Sequence, residues 1–421
     1  MEYRVTSPSA IACQVQLPLS KSIAVREMLL NDLVDQESGF ARALPQVAGY
    51  QSCEVNDDIA VMMRSLLDKG ERINVGGSGT AMRLLTARLS MQEGRTVELD
   101  GDARMRCRPI GILVDALRQM GANIHYLGQE GFPPLKIEGR KLSGGSLCID
   151  GSVSSQYISA LLMIAPLAGG ITLALDGTVA SRPYIEMTLS LMRHHGIASQ
   201  WSGTSIVVPG GHYVPAPLAV EGDWSAASYW LMLQALLPQS TITLHGLKAH
   251  SLQGDSAIVE IMKPLGVATV IDSSKCEVTL HTCPSTIDKM PAPYERDMRA
   301  TPDLVPALVV TLCLLRKPFT ITGVESLRIK ESDRLAALRQ ELAKLGYTVE
   351  TGAGNIHYDG NHNPSADDVI LDPHGDHRMA MALSLASTRH PGMAIKDPQV
   401  VSKSYPQWWE HLVKANFTID R

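Results

Sequence analysis

Pro109-Ile-Gly-Ile-Leu-Val-Asp-Ala-Leu-Arg-Gln-Met-Gly121, followed by Ala122-Asn-Ile-His125, is the stretch whose reading decides the fold. Ile110, Leu113, Leu117 and Met120 recur at helical spacing on one face. Pro109 suits the first helical position, where a missing N–H costs nothing. Gly121 suits the left-handed residue that closes a helix, and a short strand-like run follows it. The same pattern of helix, Gly and strand returns along the chain. One copy runs through 61–67 to Gly70, and another from Pro183 to Gly196. Further copies end at Gly266, at Gly346 (with Leu335, Leu338, Leu342 and Leu345 on one face) and at Asn416, where Asn replaces Gly. Any α/β protein has such junctions. Six of them, at intervals of 51, 75, 70, 80 and 70 residues, predict a repeated α/β fold of six similar units, three plus three.

The rest of the chain agrees with this body plan. Its 421 residues suit two or three domains, or one repeat-built body. A hydrophobic share of 45% excludes a disordered chain, and 34 Gly with 24 Pro are too few for a collagen-like one. The net charge of -5, with both signs dispersed, predicts no broad basic face for nucleic acid. It still allows a few cations to converge on an acidic small molecule. No run approaches the uninterrupted apolar length of a membrane span. The start, MEYRVTSPSA, has neither signal-peptide nor transit-peptide character, so a cytoplasmic protein is expected. Seven cysteines, scattered without a CxxC pair, exclude a zinc ribbon and a disulfide scaffold and predict buried free thiols. The stretch Val214-Pro-Ala-Pro217, close to the midpoint, suggests a division near residue 221. No long flexible linker is visible, which predicts lobes that hinge.

Several segments place polar residues at predicted helix starts. Leu17-Pro-Leu-Ser-Lys-Ser-Ile-Ala-Val-Arg26 puts Lys21 and Ser22 at a helix N-terminus, with Arg26 one turn on. Such a terminus favours anions, although Ser20 or Ser22 could simply cap it. Ile73-Asn-Val-Gly-Gly-Ser-Gly-Thr-Ala-Met-Arg83 reads as strand, Gly-rich turn and helix, without either nucleotide-binding spacing. Asp150-Gly-Ser-Val-Ser-Ser-Gln156 and Ser181-Arg-Pro-Tyr184 read as capped helix starts. Arg328-Ile-Lys-Glu-Ser-Asp-Arg334 crowds three cations at a helix start against the dipole, which makes sense if an anion binds there. Asp333 is expected to cap or pair, and Asp376 to cap. His374 and His377 have no third ligand at recognisable spacing, so no metal is expected. Lys403 by itself reads as a surface lysine.

Taken together, these segments resemble the 5-enolpyruvylshikimate-3-phosphate synthases. The matching stretches are SKS with Arg26, GSGTAMR (77–83), RMRCRPIG (104–111), DGSVSSQ (150–156), SRPYIEMTL (181–189), EGDWSAASY (221–229) and LQGD (252–255). Pro302-Asp303, RIKESDR (328–334), DHRMAM (376–381) and SKSYP (402–406) complete the series, in family order across nearly the whole chain. The resemblance implies an enolpyruvyl transferase-like fold: two lobes of three βαβαββ units each, hinged and closing on substrate. Residues 20–221 would form one lobe, and 1–19 with 222–421 the other.

It also implies transfer of the enolpyruvyl group of phosphoenolpyruvate to the 5-hydroxyl of shikimate 3-phosphate, with release of phosphate through a tetrahedral intermediate. Two anionic substrates repel, so cations must bring them together. By motif position, Lys21, Gly79, Arg108, Arg334, Arg378 and Lys403 would bind phosphoenolpyruvate. Lys21, Ser22, Arg26, Ser154, Ser155, Gln156, Ser181, Asp303 and Lys330 would bind shikimate 3-phosphate. Asp303 would be the base, with Glu331 and Lys21 as the proton-transfer pair. Gly77, Thr80, Arg83, Tyr184, Ser326 and His377 are secondary candidates. The resemblance further implies inhibition by glyphosate, a cytoplasmic monomer, no cofactor and no metal. Gly77 and Ser326 stand where the family often has Asn, and the 32–51 stretch departs from its usual pattern. The rival readings are the sister transferase acting on UDP-N-acetylglucosamine and a non-catalytic binding protein on the same scaffold.

Overall fold

The computed structural model describes residues 1–34, 55–152, 154–216, 218–283, 292–365 and 368–421. The chain divides into two compact units, Met1–Ser20 with Glu221–Arg421, and Lys21–Val220. The lobe limits expected at 20 and 221 differ from this by one residue at each end. Ser20 N–H donates to the Glu221 carbonyl at 2.9 Å, which ties both residues into the first unit.

Five four-stranded sheets, among the described residues, repeat one plan. In the Lys21–Val220 unit, Arg72–Asn74 pairs parallel with Thr96–Asp100, which pairs antiparallel with Leu135–Glu138, flanked by Asn123–Tyr126. Gly145–Asp150, Gly170–Asp176, Ser205–Pro209 and Gln200–Ser202 repeat that order. A parallel pair needs a crossover, and a helix supplies it each time. Gly79–Ser90 and Ser155–Ile164 cross between the parallel strands, and Gly111–Gln119 and Arg182–His194 lead into the hairpins. Each set is one βαβαββ unit.

The other unit has three such sheets. Tyr294–Asp297, Phe319–Thr322, Asn355–His362 and Tyr347–Thr351 form one from consecutive chain. The remaining two borrow from the N-terminus. Ala12–Gln16 pairs parallel with Thr241–His245, and Glu2–Thr6 lies between Met393–Lys396 and Thr418–Asp420. This borrowing explains why the first twenty residues belong with the C-terminal half. The copy expected at 61–67 to Gly70 is the helix Asp57–Leu67 leading into Arg72–Asn74, a strand of a sheet already given, so it brings no sixth sheet among the described residues. Most of the 32–51 stretch lies outside the described residues; its residues 32–34 belong to the helix Lys21–Val34.

Five of the six expected helix closers are left-handed: Gly121 (φ 98), Gly196 (φ 90), Gly266 (φ 82), Gly346 (φ 86) and Asn416 (φ 67). The residue after three of them reaches back over the turn. Ala122 N–H donates to Leu117, Ile197 to Met192 and Phe417 to Leu412, at 2.9–3.0 Å. Gly70 differs. The helix Asp57–Leu67 ends in an extended Asp68, whose carboxylate accepts from the Gly70 N–H at 2.7 Å. An Asp two residues upstream offers that alternative turn. Pro109 also lies further out than expected, because the helix begins at Gly111; Pro183 sits in the first turn of its helix.

The central helices are enclosed on all sides. Every residue of Val305–Leu314 and of His377–Ser384 is buried, as is all of Trp224–Leu236 except Ala235. In Gly79–Ser90 only Thr80 is not buried, and in Ser155–Ile164 only Gln156. Both exceptions lie in the first turn. No described helix is long and apolar enough to cross a membrane. Of the six described thiols only Cys313 is buried; Cys107 and Cys148 are exposed because they lie on a 3-10 turn and on the outward face of a strand. Cys53 lies outside the described residues.

Candidate active site

In the Lys21–Val220 unit, side-chain bonds link five helices, each within its N-terminal half or at its middle. Lys21 Nζ reaches Asp58 Oδ2 at 3.0 Å, joining the start of Lys21–Val34 to that of Asp57–Leu67. Arg26 Nε donates to Thr188 Oγ1 at 2.8 Å and Nη2 to Ser159 Oγ at 3.2 Å, joining Arg182–His194 and Ser155–Ile164. Gln156 Nε2 donates to Thr80 Oγ1 at 3.1 Å, which brings in Gly79–Ser90. Five N-termini on one end give a concentration of backbone N–H groups and positive dipole ends.

Cations line this end. Arg26 is 2% exposed, and its third hydrogen bond runs to the Ser22 carbonyl at 2.8 Å. All three acceptors are neutral. Burial lowers the Arg26 proton affinity to about 10, with Tyr184 opposing. Arg83 donates to the Gly79 carbonyl at 3.2 Å and to the Pro109 carbonyl at 3.0 Å. The Arg108 guanidinium lies against Gly79: a Cβ there would meet Nη1 at 2.6 Å. Gly76 turns left-handed at φ 53, Gly77 is half-buried beside it, and Ser78 Oγ accepts from the Ala81 N–H as N-cap. Ser154 caps the next helix, Ser155 is buried in its first turn, and buried Ser181 precedes Arg182–His194 in a left-handed conformation (φ 54), with Tyr184 half-buried beyond it.

The other unit gathers helix starts in the same way, but with mixed charge. Arg334, 1% exposed, is the hub. Its Nε donates to Asp376 Oδ2 at 2.8 Å, Nη1 to Asp303 Oδ1 at 3.0 Å, and Nη2 to Glu331 Oε2 at 3.0 Å. Burial works against the Arg334 charge, yet Asp376, Glu331 and Asp303 outweigh it, and its proton affinity rises above the ordinary value. Arg378 Nη2 takes the second oxygen of Asp303 at 2.7 Å, and Lys403 Nζ the second oxygen of Glu331 at 3.2 Å. Asp303 is therefore held through both oxygens by two guanidiniums.

Both expected caps are in place. Asp333 accepts from the Ala336 N–H at 3.0 Å, and Asp376 from the Arg378 N–H at 2.9 Å. Lys403 is not the surface lysine its isolated reading suggests, since its side chain is 17% exposed. His377 is buried beside Asp376, at 3.6 Å. Lys330 and Ser326 are half-buried at the end of the 3-10 turn Glu325–Ile329 and within it. Arg328 is drawn elsewhere, to the Gly352 carbonyl at 2.6 Å.

The clusters contain residues that the sequence reading did not single out for chemistry: Asp58, Ser159, Thr188, Ser225 and Asp255. The long-range bonds that bring them into the clusters span 29 to 162 positions, so no local spacing marks them. The one signal for Ser225 and Asp255 was their place within EGDWSAASY and LQGD.

Comparison with known proteins identifies the family and the fold. Residues 5–412 match the family model described as EPSP synthase (3-phosphoshikimate 1-carboxyvinyltransferase). A 3-phosphoshikimate 1-carboxyvinyltransferase of Bacteroides fragilis (strain YCH46) is 44% identical over 423 residues, covering 100% of this chain and 99% of the relative. The enzyme of the same name from Cellvibrio japonicus (strain Ueda107) is 37% identical, covering 97% of this chain and 98% of its own. Among solved structures, EPSP synthase from Acinetobacter baumannii superposes with a TM-score of 0.74 at 22% identity, covering 100% of both chains. The enolpyruvyl transferase NikO from Streptomyces tendae gives 0.69 at 16% identity, covering 100% of this chain and 98% of that one. At those identities the two structures speak for the fold.

Proposed function

The chain belongs to the EPSP synthase family, and from that membership and the two clusters we propose how its residues perform enolpyruvyl transfer. The reaction joins phosphoenolpyruvate to the 5-hydroxyl of shikimate 3-phosphate and releases phosphate, a transferase step of the shikimate pathway. The observation that carries the assignment of roles is the Asp303 carboxylate, fixed by Arg334 and Arg378 with its side chain 19% exposed.

Asp303 takes the proton of the 5-hydroxyl as that oxygen bonds to C2 of phosphoenolpyruvate, while the methylene carbon gains a proton. Loss of a proton from the resulting methyl group then expels phosphate from the tetrahedral intermediate. Glu331, set between Arg334 and Lys403, and Lys21, paired with Asp58, serve proton transfer at that carbon. Arg108, Arg334, Arg378 and Lys403, with the Gly79 turn, grip phosphoenolpyruvate; planar guanidinium forks match carboxylate and phosphate oxygens. Ser22, Arg26, Ser154, Ser155, Gln156, Ser181 and Lys330 hold shikimate 3-phosphate. The neutral surroundings of Arg26 support an anionic partner, because a buried guanidinium gains most from a charged acceptor. The same reading takes the chain as a monomer.

A coupled phosphate-release assay tests the reading, with shikimate 3-phosphate as acceptor and then UDP-N-acetylglucosamine. Release is expected only with the first. Asp303→Ala should cut turnover by about two to four decades, the worth of a general base, and leave shikimate 3-phosphate binding largely intact. Wild-type turnover in that variant removes Asp303 from its role.

A further inference from the structure

Asp255, from the LQGD segment, is a buried carboxylate that the roles above leave unused. It is 2% exposed, at the start of the 3-10 turn Gly254–Ala257. Ser225 Oγ donates to Asp255 Oδ2, and Arg378 Nη2 donates to the same Ser225 Oγ at 3.4 Å. That nitrogen also holds Asp303 Oδ2 at 2.7 Å. A continuous line of polar atoms therefore runs from Asp255 through Ser225 and Arg378 to Asp303. Resting on the reading of Asp303 as base, we propose that Asp255 is a positioning residue of the reaction: it tethers the Arg378 guanidinium through Ser225 and places a like charge behind Asp303.

The electrostatics support this geometry. Among the groups that face Asp255 are Asp303, Arg378, Ser225 and Asp223; Arg334, Glu331 and Asp376 stand beyond Asp303 and Arg378. Burial raises the Asp255 proton affinity to about 6, and repulsion from Asp303 adds to it, against Arg378 and the Ser225 hydrogen bond. Repulsion between two carboxylates is mutual, so an ionised Asp255 makes Asp303 more basic. Two guanidiniums on Asp303 would otherwise leave it a poor proton acceptor. An ionised Asp255 is thus costly to the fold and useful to the chemistry, the usual relation at active sites.

The test measures turnover and the Michaelis constant for phosphoenolpyruvate against pH in the full-length enzyme and two variants. Asp255→Asn keeps an acceptor for Ser225 but removes the charge. Its acidic limb should move down by about half to one pH unit, with plateau turnover reduced about 3- to 10-fold, because Asp303 becomes a weaker base. Ser225→Ala keeps the charge and cuts the tether. Its limb should stay in place, while the Michaelis constant for phosphoenolpyruvate rises about 3- to 10-fold as Arg378 loosens. A profile of Asp255→Asn that superposes on the wild type overturns the charge role, and an unchanged Michaelis constant in Ser225→Ala overturns the tether. Ser225→Ala alone keeps the idea open to refutation if Asp255→Asn does not fold. Asp303→Ala separates the two readings: full turnover there refutes the base itself, whereas its loss alongside an unmoved limb in Asp255→Asn refutes only the role of Asp255.

Discussion

Replacing Gly79 by Ala tests the phosphoenolpyruvate grip at one atom. Gly79 opens a helix and does not need a positive φ, so the backbone accepts Ala, and the change in fold stability should stay within about 1 kcal/mol. The new methyl carbon would lie 2.6 Å from Arg108 Nη1 and 3.0 Å from Cζ and Nη2. Ordinary contact begins at 3.4 Å, so the guanidinium must withdraw by about 0.8 Å. A misplacement of about 1 Å can cost about 100-fold in rate, and one charge-assisted hydrogen bond is worth about 1.5–3 kcal/mol. The Michaelis constant for phosphoenolpyruvate should therefore rise about 10- to 100-fold. The inhibition constant of glyphosate, expected to compete for the same place, should rise at least as much. Phosphate release at varied phosphoenolpyruvate and glyphosate measures both, with a thermal melt as control. Gly79→Ala should also have little further effect in an Arg108→Ala background, because the two changes act on one contact. Unchanged constants in the single variant, or full additivity in the double, would show that Arg108 over Gly79 does not line the site. Gly77 is outside the left-handed region, and Gly77→Asn should lower the glyphosate constant by about tenfold if a side-chain amide there restores a hydrogen bond.

Two further outcomes follow from buried charge. Shikimate 3-phosphate at 100 times its dissociation constant should stabilise the protein by about 2.7 kcal/mol in urea unfolding. Arg26→Gln at the same concentration should lose at least half of that gain, and retention of all of it would take Arg26 out of the acceptor site. Burial, with Lys414 adding to it, holds His411 down at about 4, while the unfolded chain protonates near the ordinary 6.5. As pH falls the unfolded state takes up this proton first, so stability present above pH 6.5 is lost between 6.5 and 4. For a half-buried ring the loss should be about 1–2 kcal/mol, and His411→Asn should flatten that part of the curve. An unaltered slope in the variant assigns the acid sensitivity elsewhere.

The repeat was legible because its signals are local. Helical spacing of apolar residues and a Gly or Asn at the left-handed closing position depend on neighbours within five residues, and Gly121, Gly196, Gly266, Gly346 and Asn416 obey them. Gly70 escaped the rule through an equally local competitor, the Asp68 carboxylate. Motif order likewise identified which helix starts carry polar residues, Lys21, Thr80, Ser155, Arg334 and Arg378 among them.

Partner choice was not legible. Arg26 finds Thr188 162 positions away, Arg334 finds Asp376 42 away, and Lys21 finds Asp58 37 away. Glu2–Thr6 and Ala12–Gln16 complete sheets whose other strands lie in the C-terminal half. Sequence by itself determined the elements, their closers and the chemical types at their ends. Tertiary structure decided which carboxylate meets which cation, that Arg108 covers Gly79, and that Asp255 stands behind Asp303. The reason is physical: helix and turn propensities act between near neighbours, whereas a buried charge is paired by whichever enclosed helix ends the packing of distant strands brings together.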